Sequence, residues 1–298
     1  MMKNMKTCAL CKTTKELRKS HVLPKFVINF LKKDSFTNKF RNLENSNISR
    51  QDGEKEYLLC NDCEQLFSVS ENLFAKNVFY PFKKQTLVSK LKYQEWLTKF
   101  IVSVNWRCLY LDILRIEQDR EERGKISTSQ LDILKDSEMV MSEFLLGNRV
   151  DLGSIENHIF FFDEVKSMNE NLTLHRPHSS VHGSIGGYTV WNEDSICVFT
   201  NLAGVFIITI FKKGKSEKWK NTYVKKSSGV IRIPQFIKGT LIANELTFLN
   251  NSLKYNNLSD KQRNKIVEHI SSNIDKFKAS GSYKRYVKDK NLNTTNEI

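Results

Sequence analysis

Apolar positions along the chain change from helical to strand spacing near residue 148. From Gln85 to about Gln118, Leu87, Leu91, Trp96, Phe100, Ile101, Val104, Leu109, Leu111 and Leu114 recur at steps of three and four. That period predicts one or two helices. Asp119–Lys125 (DREERGK) breaks the pattern, which resumes from Ser127 to Leu146 as an amphipathic helix stopped near Gly147. Beyond Asn148 the runs are short and β-rich: His158–Phe162, Tyr188–Trp191, Ser195–Phe199 and Val205–Ile210. Separated by Asn, Asp and Gly, they predict an antiparallel sheet with a buried face. Trp219–Ile233 adds a candidate strand pair hinged at Ser227–Gly229. Helices return over Lys238–Leu253 and Ser259–Phe277, where Ser259 and Gln262 have capping-box spacing. Gly281–Ile298 is polar and expected to fray, with a basic start that could touch nucleic acid.

Nearer the N-terminus, Glu56–Leu59 is a short strand signal. Leu66, Phe67, Leu73 and Phe74 then recur at helical spacing, and residues 34–54 read as a long polar connection. The expected architecture is α+β: an N-terminal module over 1–84, a helical connector over 85–147, a β-rich domain with C-terminal helices over 148–280, and a polar tail over 281–298.

Composition adds a charge. Among 298 residues, 47 Lys and Arg face 33 Asp and Glu, a formal net charge of +14. Such an excess suits a polyanionic partner, nucleic acid first and an anionic membrane or acidic protein next, or else a Lys- and Asn-rich composition simply reflects an AT-rich genome. Val205–Phe211 is a seven-residue apolar run containing a Thr, whereas a membrane span needs roughly 20. With no apolar signal region after MMKNMKTCALCK, the chain is expected to be soluble and cytoplasmic, without a membrane partner. Ser184–Tyr188 lacks the Lys-Ser/Thr of a phosphate loop and the spacing of a dinucleotide fold, and no G-x-S-x-G elbow occurs.

The cysteines are the sharpest signal. Of six, Cys8 and Cys11 form one pair and Cys60 and Cys63 another, each with two residues between. That spacing lets one tight turn offer two thiolates, and two such turns complete a closed structural Zn²⁺ site. Cys108 and Cys197 stand alone in apolar surroundings and are expected to be buried.

Between the pairs lies Ser20-His21-Val22-Leu23-Pro24-Lys25, and the second pair sits in Leu59-Cys60-Asn61-Asp62-Cys63-Glu64. The order of zinc knuckle, His-bearing strand, strand, knuckle and helix resembles treble-clef, ββα-metal nucleases of the HNH type. It is closer still to a bacterial HNH-like group with the pattern CxxC, SHxxPK, LLCxxCE, many of which look like parts of anti-phage defence systems. The resemblance covers residues 5 to about 80. It implies an endonuclease acting on DNA, with His21 as general base and a catalytic Mg²⁺ or Mn²⁺ on Glu64; a defence-system partner protein or a homo-oligomer fits the same picture. Two positions depart from the pattern: Ser20 stands where an acidic residue or His is usual, and Glu64 where a His is usual. Asn42, Asn45 and Asn47 are out of register for the usual Asn. The departures leave two readings, a hard-oxygen catalytic site or a non-catalytic zinc module that binds nucleic acid or protein. Arg18, Lys19 and Lys25 flank His21 and could contact phosphates or form a solvated basic edge. Glu71, two helical turns from Glu64, either orients the site or forms an ordinary ion pair. Trp106-Arg107 reads as a buried anchor ahead of a phosphate contact. His175, His178 and His182 fall in a Ser- and Pro-containing stretch with no adjacent acidic residue, expected to be a surface loop or phosphate-contact segment.

Overall fold

Thr14–His21 (β2) is the strand on which the N-terminal region is built. It pairs antiparallel with Met5–Thr7 (β1) on one edge and with Lys55–Cys60 (β3) on the other. The computed structural model describes residues 5–41, 47–169, 172–255 and 258–295. Between β2 and β3, Lys25–Asp34 (α1) buries Val27, Ile28 and Leu31. β3 passes without a loop into Asn61–Phe74 (α2), which runs on through a π-helical turn, Ala75–Phe79, and a helical turn, Tyr80–Lys83.

Lys90–Gln94 (β4) departs from the helical expectation. Leu91 and Tyr93 are buried while their neighbours are exposed, the alternation of a strand, and its partner Ser228–Arg232 lies far away in sequence. A single helix follows, Glu95–Gln118 (α3), buried almost all round from Leu97 to Leu109. A helix apolar on every side belongs inside a molecule. Thr128–Leu146 (α4) begins with a complete capping box: Ser127 Oγ accepts from Gln130 N and Gln130 Oε1 accepts from Ser127 N. It ends at Gly147 with φ 78°.

The main sheet contains Glu156–Phe161 (β5), Ile185–Trp191 (β6), Ile196–Leu202 (β7), Val205–Lys212 (β8) and Tyr223–Val224 (β9), ordered β9-β5-β8-β7-β6 and antiparallel throughout. Both faces are buried. Val205 and Ile207 pack with Leu97, Phe100, Ile101 and Val104 of α3. Phe206, Ile208 and Ile210 pack with Leu241, Ile242 and Leu246 of Leu241–Tyr255, a helix covering the opposite face. A buried hydrogen-bond chain fastens α3 to the sheet: Asn105 donates to Thr209 Oγ1 (2.7 Å) and accepts from Thr200 (2.9 Å), and Thr209 donates to Asn157 (2.7 Å). Gly187 permits this approach, since a Cβ there would press on Cys108 Sγ and Thr200 Oγ1. Cys108 and Cys197 are buried as expected, and burial pushes the Cys108 thiol up to about 12.

Two further expectations give way. The candidate strands within Trp219–Ile233 do not pair with each other. Lys218–Lys220 joins Gln235–Lys238, β9 joins β5, and Ser228–Arg232 joins β4, partners that lie outside the run itself. The supposed frayed tail is helical over Gly281–Thr295, held by an Arg285–Asp34 ion pair and by Asp289. One apolar cluster joins Cys8, Leu10, Leu59 and Phe67 to Val102, Trp106 and Leu109 of α3, to Leu134 and Met141 of α4, and to Val198 of the sheet.

Candidate functional site

Cys8 and Cys11 occupy the β1–β2 turn, Cys60 ends β3, and Cys63 lies in the first turn of α2. Cys8 N donates to Thr13 O (2.9 Å) and Lys12 N to Cys8 O (3.0 Å), with Lys12 at φ 57°, so the turn folds both sulfurs inward. Cys60 N donates to Cys8 Sγ at 3.4 Å, and Cys11 Sγ lies 3.9 Å from Cys60 Sγ. The four ligand sulfurs all lie within 4.8 Å of one another, and none is in a disulfide. Tetrahedral Zn–S bonds of about 2.3 Å place sulfurs roughly 3.8 Å apart, so the donor set and its spacing fit zinc. Burial pushes the Cys63 thiol up; at Cys11 burial is outweighed by hydrogen bonds from Thr13, which bring it down to about 6. Zinc would displace the remaining thiol protons on binding.

His21 ends β2, just past a bulge between Arg18 and Lys19 that shifts the register against β3. Its Nε2 lies 2.7 Å from Asp52 Oδ1, and Lys55 Nζ lies 2.5 Å from the other oxygen. Hydrogen bonds from Lys55 and then His21 hold the Asp52 carboxyl well below the usual carboxylate range. A carboxylate only accepts, so Nε2 carries a proton, and in the neutral ring Nδ1 is then the acceptor. Buried Arg107 ties this strand end down. Its Nη1 donates to His21 O (3.0 Å), its Nη2 to Glu71 Oε1 (2.7 Å), and its Nε to Ser103 O (3.1 Å). Glu71 therefore reaches His21 through a guanidinium, and Trp106-Arg107 is a buried anchor, with Trp106 Nε1 donating to Glu138 (2.7 Å).

Glu64 lies in the first turn of α2, its Oε1 buried without a hydrogen-bond partner. Among the described residues, neither His21 nor Glu64 belongs to a convergent group of three or more His, Cys, Asp or Glu. Ser20 is half-buried on β2. Arg18 and Lys19 are exposed on the same strand, Lys19 over the Tyr57 ring at 6.0 Å, and Lys25 is exposed at the start of α1. Asn42 and Asn45 lie outside the described residues; Asn47 Oδ1 accepts from Ser259 N (2.9 Å). Asp52 was not singled out by sequence. Its signal was an Asp-Gly pair within a polar connection, which marks a turn rather than a partner for His21.

The His175–His182 stretch is not the expected loop. Pro177–His182 forms a short helix, and His182 is buried with Nε2 2.9 Å from Asp163 Oδ1. The acidic neighbour, Asp163, lies 19 positions away along the chain, so the local sequence around the histidines does not reveal it. His178 stacks on His182 with ring centroids 5.7 Å apart, while His175 is exposed. No described helix is long and apolar enough to cross a membrane. Comparison with known proteins gives no matching family model, no matching curated protein and no matching solved structure.

Proposed function

We propose that this chain is a metal-dependent, HNH-like endonuclease acting on DNA, with Cys8, Cys11, Cys60 and Cys63 forming the structural zinc site of a treble-clef module. The observation that carries the reading is the His21–Asp52 pair at 2.7 Å, on the strand that pairs with β3 as it leads into Cys60. Asp52 fixes the imidazole so that Nδ1 can take a proton from an attacking water, the task of a general base. Glu64, with its unpartnered buried oxygen, is the donor for a Mg²⁺ or Mn²⁺ ion. When bound, such an ion would stabilise charge on the scissile phosphate and its leaving oxygen. Arg18, Lys19 and Lys25 supply exposed positive charge beside His21 for neighbouring phosphates. A cytoplasmic role as effector of a bacterial defence system, with a partner protein, follows from the same resemblance.

A second reading, a non-catalytic zinc module binding nucleic acid, is favoured by the absence of a convergent ligand group around His21 and Glu64 among the described residues. Plasmid incubated with Mg²⁺, Mn²⁺ or EDTA separates the two. Metal-dependent cleavage is expected, lowered about 10²–10⁴-fold by His21→Ala and less by Asp52→Asn, with zinc content unchanged. Cleavage by a well-folded His21→Ala protein at the wild-type rate would overturn the nuclease assignment to this site.

A further inference from the structure

A cavity of about 290 Å³ opens between the end of the Tyr80–Lys83 turn, Asp163, the Pro177–His182 helix and the C-terminal helix Gly281–Thr295. It shares no residue with the cysteine cluster or with His21, so the nuclease reading has no bearing on it. Four cations line it, Lys83, Lys284, Arg285 and Lys288, against two carboxylates, Asp34 and Asp163. Both carboxylates are engaged, Asp34 by Arg285 and Asp163 by His182. Lys284 and Lys288 are exposed and form no ion pair among the described residues. Lys83 is half-buried over the rings of Phe30 and Phe82 and donates to Ala203 O and to His182 Nδ1 (3.2 Å). The cavity wall is fastened from behind: both Asp289 oxygens accept backbone N–H groups, those of His178 (2.8 Å) and Ser179 (2.9 Å). Gly204, at φ 93°, lies so close to the His182 ring that a Cβ would collide with it.

Proton placement decides what this cavity accepts. Asp163, His178 and His182 bring ligand atoms within 4.8 Å, which taken alone suits a divalent cation. The Lys83 ammonium, however, can only donate, so His182 Nδ1 must accept and Nε2–H must donate to Asp163. A metal on Nε2 would move the proton to Nδ1 and set an N–H against an ammonium. Lys83 remains largely protonated at neutral pH even though burial and the nearby Arg285 bring it down to about 8. An anion leaves that proton arrangement intact, and the Asp163 carboxylate beside it already accepts from His182 Nε2–H and is outnumbered by the lining cations. His178 makes no ring hydrogen bond among the described residues and has a nitrogen to offer, beside cations that are not neutralised.

The geometry points to a binding site for a phosphate monoester, free or at the end of a nucleic-acid strand, held by Lys83, His178, Lys284 and Lys288. Ammonium–phosphate hydrogen bonds are charge-assisted and among the stronger polar contacts available. The test is calorimetry and thermal melting of the zinc-loaded full chain in phosphate-free buffer at matched ionic strength, with inorganic phosphate, AMP, and 5′-phosphorylated or 5′-hydroxyl oligonucleotides as probes. Inorganic phosphate and AMP should bind and raise the melting temperature. The double variant Lys284→Ala/Lys288→Ala, changed only at exposed positions, should weaken AMP about tenfold, and Lys83→Met at least as much. Displacement of AMP by the phosphorylated but not the hydroxyl oligonucleotide would identify a strand end as the source; failure of both to displace it would identify a free monoester. The inference is overturned if neither phosphate nor AMP binds, or if the double variant binds AMP as wild type does. A second stoichiometric Zn²⁺ or Mn²⁺, lost in His178→Ala, would equally overturn it in favour of a metal site.

Discussion

His158 on β5 is buried, accepting at Nδ1 from Thr222 (3.0 Å) and donating at Nε2 to Glu156 (3.1 Å), a pattern that fits the neutral ring. Burial lowers its pKa despite the carboxylate, while the hydrogen bond from His158 holds Glu156 down to about 2. Both shifts have the same consequence. A His lowered in the folded state and a carboxylate lowered in the folded state each leave the unfolded chain binding more protons, so stability falls as pH falls. The His158 contribution is lost from about pH 6.5 downward and that of Glu156 below about pH 4.5. Urea midpoints should therefore be lower at pH 5.5 than at pH 7.5, and His158→Asn should flatten that difference; an unchanged slope would place the effect elsewhere.

Among the elements, the two capping positions make a matched comparison. Ser127 and Gln130 form both bonds of a capping box, whereas Ser259, with the same Ser-x-x-Gln spacing, caps Asp260–Ser271 without a side-chain bond. Ser127→Ala should cost about 1 kcal/mol in chemical unfolding and Ser259→Ala only a few tenths. Equal losses would mean that the Ser259 bond forms in solution. The difference arises from context: α4 packs against α3 and Trp106 bonds Glu138 within it, while the 260–271 helix buries no residue. Spacing provides the opportunity for a cap, and tertiary packing fixes whether its geometry is held.

For the molecule as a whole, the cysteine cluster is part of the main core. Cys8, Cys60 and Cys63 share an apolar cluster with Trp106, Leu134, Met141 and Val198. Loss of metal is thus expected to reach beyond the first 80 residues. Elemental analysis should find one zinc per chain, and Cys60→Ser should remove it and lower the melting temperature of the entire protein, not of an N-terminal transition alone. Two separate melting transitions, with only the first moved, would show that the module folds independently.

The sequence by itself determined what depends on neighbours a few residues apart. The Cys-x-x-Cys pairs specified all four sulfurs, the three-and-four repeat specified the α4 helix and its stop at Gly147, and the β-rich runs specified β5 to β8. These are periodicities and spacings set by helix, strand and turn geometry, so they can be read locally. Only the tertiary structure decided which distant side chains meet. Asp52 reaches His21 across 31 positions, Glu71 reaches His21 only through Arg107, and Lys83, Asp163, His178 and Arg285 line one cavity from four separate segments. Nothing in the local pattern around any of them encodes its partner. Contacts of that kind form when buried helices and sheet edges dock, and docking is set by how the whole core packs.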